Sequence, residues 1–160
     1  MPIRWLDLLD AFHAADCGDD ACAWINAQTG AIRIRIPDTD GDEPPPDDDP
    51  TWHAVPNGRD LDLKQALVWR FVRHVCPAEE DAVRRCFSRR GAWRAFKDLL
   101  ARRGLLDRWH DFQDHETRQA LLAWTVAEGL AVIEPPPPGK CLEDLRCDSA
   151  DTVSRICRPR

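Results

Sequence analysis

A chain of 160 residues, 43% hydrophobic and 31% charged, has the make-up of one folded domain and is long enough to bury a core without disulfide or metal staples. No stretch approaches the roughly 18 apolar residues of a membrane helix. Asp7 stands where a secretory leader would carry its apolar run, so a cytoplasmic chain with free thiols is expected. The net charge of −6 is badly mixed: residues 84–103 hold eight basic side chains against Asp98 alone, and the flanking segments are acidic.

In chain order, Trp5, Leu8, Leu9 and Phe12 recur at the spacing of one helical face and predict an N-terminal helix, which Cys17-Gly18-Asp19-Asp20 breaks. Residues 22–36 predict a β-hairpin. Its second arm, Ile32-Arg33-Ile34-Arg35-Ile36, alternates apolar with charged, and Gly30 supplies the positive φ of the turn. Residues 37–50 carry seven acidic groups and five prolines, a composition that repels itself, and predict a mobile acidic loop. The loop lacks the spaced ligands and flanking helices of an EF-hand. Trp52-His53-Ala54-Val55-Pro56 is a candidate third strand. Asn57 to Asp62 reads as a turn, with Asp60 or Asp62 capping a helix through Leu63, Ala66, Leu67, Phe71 and His74 that Pro77 closes.

The C-terminal half reads as helical. Pro77 to Phe87 opens with Pro and two Glu, as helix starts prefer. Ala92 to Arg103 is amphipathic and stops at Gly104. Leu105 to Phe112 predicts a short helix, and Asp114 would cap another reaching Glu128. Leu130 to Ile133 predicts an edge strand, and the prolines from Pro135 to Pro138 end the domain. The expected fold is α+β: an N-terminal helix, a small two- or three-stranded antiparallel sheet and a helical C-terminal half. It forms a single domain over residues 1–134, followed by a Cys-containing tail over 135–160.

The block Arg90-Gly91-Ala92-Trp93-Arg94-Ala95-Phe96-Lys97-Asp98, then Trp109-His110-Asp111-Phe112 and Ala123-Trp124 with Gly129, resembles the bacterial uncharacterised protein family (UPF) 0158. Trp24, Thr29-Gly30 and the acidic run of residues 38–49 fall where that family has an aromatic strand, a Thr-Gly turn and an acidic loop. The resemblance spans roughly residues 3–133 and leaves the tail outside. His110 stands where the family usually has Tyr. The resemblance implies an architecture and no activity.

Catalytic, cofactor and metal signatures are missing from the pattern. Cys17 and Cys22 have no second ligand pair at zinc-site spacing, and Cys141, Cys147 and Cys157 are scattered. His110 and His115 fall about 140° apart on a helix, so Asp107, His110, Asp111, Asp114 and His115 read as a solvated face with a cap. Cys86, between Arg85 and Phe87, sits where a helix wants a small apolar residue. No nucleophile elbow, phosphate-cradling loop or dinucleotide fingerprint occurs. Neither a catalytic residue, a cofactor nor a metal is expected. Trp93, Phe96, Trp109 and Phe112 read as core.

The basic segment is where function competes with bland surface. Arg90, Arg94 and Lys97 share a helical face, with Arg84, Arg85 and Arg89 beside it, and these six are the candidate residues for an anionic partner. Two readings follow: a non-enzymatic protein-binding or regulatory module, or an RNA- or DNA-associated accessory protein. Against nucleic acid stand the net negative charge and the acidic loop in the same chain. A solvated face, balanced internally, is the third possibility.

Overall fold

Two short apolar faces and one hairpin organise the first part of the chain. In the computed structural model, which describes residues 1–135, Pro137 and Leu145, the chain divides into two compact units. The first comprises Met1–Leu63 with Gln119–Pro137; the second comprises Lys64–Arg118 with Pro138–Arg160. The expected tail, including Cys141, Cys147 and Cys157, lies outside the described residues except for Pro135, Pro137 and a fully buried Leu145.

In the first unit, strand β1 (Ile3–Arg4) leads directly into helix α1 (Trp5–Ala15), which buries Trp5, Leu8, Ala11, Phe12 and Ala15. Leu9 is only half-buried. Helix α1 packs against β2 (Cys22–Asn26) and β3 (Ile32–Arg35). These strands form the expected hairpin, with Cys22 opposite Arg35 and Ile25 opposite Ile32. Gly30 has φ of +71°, as the turn requires. β4 (Trp52–Ala54) adds to the other side of β2, giving a three-stranded antiparallel sheet in the order β3-β2-β4. Ala23 and Ile25 of the central strand are buried.

Asn26 at the end of β2 holds the turn and the third strand together. Its Oδ1 accepts from the backbone N–H groups of Gln28 and Thr29, at 3.0 and 2.9 Å. Its Nδ2 donates to Thr51 Oγ1 at 2.8 Å. A buried amide is tolerated because its polar atoms are satisfied. The expected edge strand is β5 (Val132–Ile133), and it pairs in parallel with β1 as a separate two-stranded sheet. Glu128 Oε2 lies 2.7 Å from His53 Nδ1 of β4.

The acidic segment forms neither helix nor strand, as its composition requires, yet its centre is seated on β3. The backbone N–H of Asp42 donates to the Ile34 carbonyl, and the Ile34 N–H donates to Asp42 Oδ2, both at 2.9 Å. Gly41 lies so close that a Cβ there would fall 3.1 Å from both Arg35 Cα and the Ile34 oxygen. Arg33 Nη1 donates to the carbonyls of Glu43 and Pro44, and its guanidinium stacks 4.7 Å from the centre of the Trp52 ring. Asp49 accepts from the N–H and hydroxyl of Thr51, which holds its carboxyl below the usual range.

In the second unit, α2 (Gln65–Val75) buries Leu67, Val68, Phe71 and Val72. Neither Asp60 nor Asp62 caps it: Asp60 accepts from Asn57 N–H inside the preceding turn, Asp62 takes φ of +55°, and Lys64 occupies the N-cap position without a capping hydrogen bond from its side chain. A single 3-10 turn (Pro77–Glu79) follows, then α3 (Glu80–Phe87) and α4 (Ala92–Arg102). Two helices were expected beyond Gly104. Over the span expected to hold both, residues 105–128, there is one, α5 (Leu106–Ala127), whose residues belong to the second unit up to Arg118 and to the first thereafter. Asp114 is therefore mid-helix and caps nothing. Two residues beyond Asp114, the Glu116 carboxylate meets Arg70 Nη1 at 2.8 Å. No Gly or Pro interrupts the run.

Candidate anion-binding face

Helices α3 and α4 contact each other across the turn Ser88–Gly91. Gly91 takes φ of +73°, which lets the chain reverse immediately before α4. Val83 of α3 and Phe96, Leu99 and Leu100 of α4 point into the core. The remaining faces carry the charge: Arg84 and Arg85 on α3, Arg89 and Arg90 in the turn, Arg94 and Lys97 on α4. All six are exposed. Arg84 meets Glu80 one turn back at 3.0 Å, an exposed pair of small energetic worth. Among the described residues the other five have no carboxylate partner. Further along, Arg103 is held by Glu79 at 2.9 Å and is not available in the same way.

Trp93 departs from expectation. Its type and spacing predict core, but its side belongs to the rim: the residue is 38% exposed, the one exposed aromatic among the large apolar side chains described. Lys97 is four residues further on, about 40° round the helix, so cation and indole are neighbours. The indole is buttressed from behind, edge-on to Phe87 at 5.4 Å and to Phe96 at 6.3 Å. Phe96, Trp109, Phe71 and Phe112 continue the cluster inward and are all fully buried, as expected of core. The signal was present in the helical wheel, where Trp93 falls at the edge of the apolar arc nearest Lys97. An exposed aromatic on the same helices as cations that, Arg84 excepted, have no carboxylate partner among the described residues is suited to an anionic surface with flat or apolar content.

Other chemistries find less. Among the described residues no group of three or more His, Cys, Asp or Glu side chains is placed to hold a metal ion. Cys17, Cys22, Cys76 and Cys86 are free thiols. Burial, with a smaller contribution from Glu79, pushes the Cys76 thiol up to about 11, which keeps it protonated and unreactive near neutrality. Cys86 is half-buried within α3. An open cleft of about 350 Å³ lies between β3 and the acidic loop, lined by Arg35, Asp38, Thr39, Asp42 and Glu43 among others. No described helix is long and apolar enough to cross a membrane. No family model matches the chain, and no curated protein or solved structure is significantly similar to it.

Proposed function

We propose that the chain is a non-enzymatic binding module of the bacterial cytoplasm that captures an acidic segment of a protein partner on Arg84, Arg85, Arg89, Arg90, Arg94 and Lys97. The resemblance to UPF 0158 belongs to the same reading, since its motif helix is α4 itself. The observation that carries the proposal is the set of exposed cations, all but Arg84 without a carboxylate partner among the described residues, on the same helices as an exposed indole backed by Phe87 and Phe96. Trp and Arg dominate the energetics of protein interfaces when they sit together in a rigid setting. Charge supplies long-range attraction and the indole supplies apolar area at little entropic cost.

The same indole favours a second reading, an accessory role on single-stranded RNA or DNA. Base stacking on aromatics beside a basic groove is a sequence-tolerant mode of capture. One experiment separates them. Replacing Arg90, Arg94 and Lys97 together by Glu leaves the exposed surface able to fold and abolishes retention on immobilised poly-glutamate. Wild-type retention on poly-glutamate should exceed that on a single-stranded oligonucleotide and fall with salt. Stronger oligonucleotide retention, with the steep log–log salt slope of counterion release, would transfer the proposal to nucleic acid. Equal retention by wild type and the triple variant on both matrices leaves the face as ordinary solvated surface.

A further inference from the structure

The chain carries its own candidate for an acidic partner. The acidic loop is not a free string: Gly41 and Asp42 seat it on β3, and Asp49 ties its end to Thr51. That anchoring leaves Asp38, Asp40, Glu43, Asp47 and Asp48 exposed, and none of them has a cationic partner among the described residues. They sit on a loop tied down at Asp42 and Asp49, so docking it costs less ordering entropy than docking a segment with no anchor. The basic face meets the same description with opposite sign. Arg85, Arg89, Arg90, Arg94 and Lys97 are exposed and without a carboxylate partner among the described residues. Each set is exposed within its own unit.

Resting on the reading of this face as a protein-binding site, we infer that its occupant is the acidic loop of a second copy of the chain. The contact is isologous, because the loop of each copy meets the face of the other. Reciprocal exchange, loop to face in both directions, uses both sets of charges and closes a dimer. Trp93 gives the contact its fixed apolar centre and the charges give it register and salt sensitivity. The five loop carboxylates are distinct from Asp42 and Asp49, which hold the loop in place. The acidic side chains that would bind are therefore separable from those that position them.

The test is sedimentation of the full chain with two variants. One is neutral in the loop (Asp38→Asn, Asp40→Asn, Glu43→Gln, Asp47→Asn, Asp48→Asn). The other is reversed on the face (Arg90→Glu, Arg94→Glu, Lys97→Glu). Wild type is expected at twice the chain mass in about 0.01 M salt and at a single chain mass in about 1 M salt, as the screening length falls from about 30 to about 3 Å. Each variant alone should stay monomeric, and an equimolar mixture should regain association, since the intact loop of one meets the intact face of the other. A monomeric wild type at low salt overturns the inference, as does association that survives in both variants alone. Poly-glutamate retention by the loop-neutral chain then separates the two levels. If it is retained while wild type is monomeric, the binding module stands and self-recognition falls. If neither chain retains it, both fall. If the loop-neutral chain retains more than a monomeric wild type, the loop covers the face of its own chain and the second copy is wrong.

Discussion

Gly41→Ala should undock the acidic loop although the residue lies in a stretch with no regular structure. The added methyl would sit 3.1 Å from Arg35 Cα, 3.1 Å from the Ile34 oxygen and 3.3 Å from the Ile36 nitrogen. All three are backbone atoms of a strand already paired with β2 on its other side, so the strand has little room to give. The loop must move instead, and with it go the two hydrogen bonds between Asp42 and Ile34. At about 0.5–1.5 kcal/mol net for each bond the loss is about 1–3 kcal/mol. Alanine restricts the unfolded chain and returns about 0.4–1 kcal/mol. The net expectation is a destabilisation of about 1 kcal/mol, read as a lower urea midpoint with an unchanged slope. Hydrogen exchange of the Ile34 amide should accelerate. Gly18→Ala is the control, because nothing lies within 4 Å of its Cβ position and its φ is not positive; it should be neutral or slightly stabilising. If Gly41→Ala matches Gly18→Ala in midpoint and leaves the Ile34 amide protected, the loop is not seated on β3.

His115→Pro tests the continuity of α5. Were Asp114 a cap, position 115 would be the first helical residue and would welcome proline; within one continuous helix the change should cost about 3 kcal/mol or more in a urea titration. Asn26→Ala should lower stability by about 2–3 kcal/mol, since it removes three hydrogen bonds from a buried position, and an unchanged midpoint would refute its role as the link between turn and β4. In a brief iodoacetamide pulse at pH 8, peptide mapping should find Cys17 and Cys22 labelled and Cys76 protected. The Cys76 thiol is raised in the folded state, so its contribution to stability is full below pH 9 and is lost as pH rises towards 11. That loss is on the order of 2 kcal/mol, and a Cys76→Ala variant should show a correspondingly flatter alkaline stability profile.

The hairpin was legible because alternation of Ile and Arg, and a glycine at the turn, are local signals that need no partner to interpret. The helical C-terminal half and the exposed placement of the six cations were legible for the same reason. What escaped depends on distant partners. Asn26 looks like a weak strand residue until Thr51, 25 positions away, supplies its acceptor. Gly41 reads as flexibility within an acidic run, and only the closeness of the β3 backbone shows that it is a matter of space. The polar middle of α5 looks like a break until Arg70 is found beside Glu116. β1 spans two residues, too few for any periodicity to reveal. Trp93 was assigned to the core by type, whereas its position beside Phe87 and at the rim follows from how α3 and α4 meet.

The parallel pairing of Ile3-Arg4 with Val132-Ile133 has a consequence for how the protein is made. Residues 64–118 form a contiguous run whose helices can pair with near neighbours as soon as they leave the ribosome. The first unit draws on both sides of that run, and β1 has no β5 to bind until about 130 residues have been synthesised. For that interval the edge of β1 lacks its partner strand. Non-local closure of this kind is slow relative to local helix pairing. Vectorial synthesis should therefore give protease resistance over residues 64–118 before the first unit acquires its own, and chains stalled near residue 120 should be cut preferentially before Leu63.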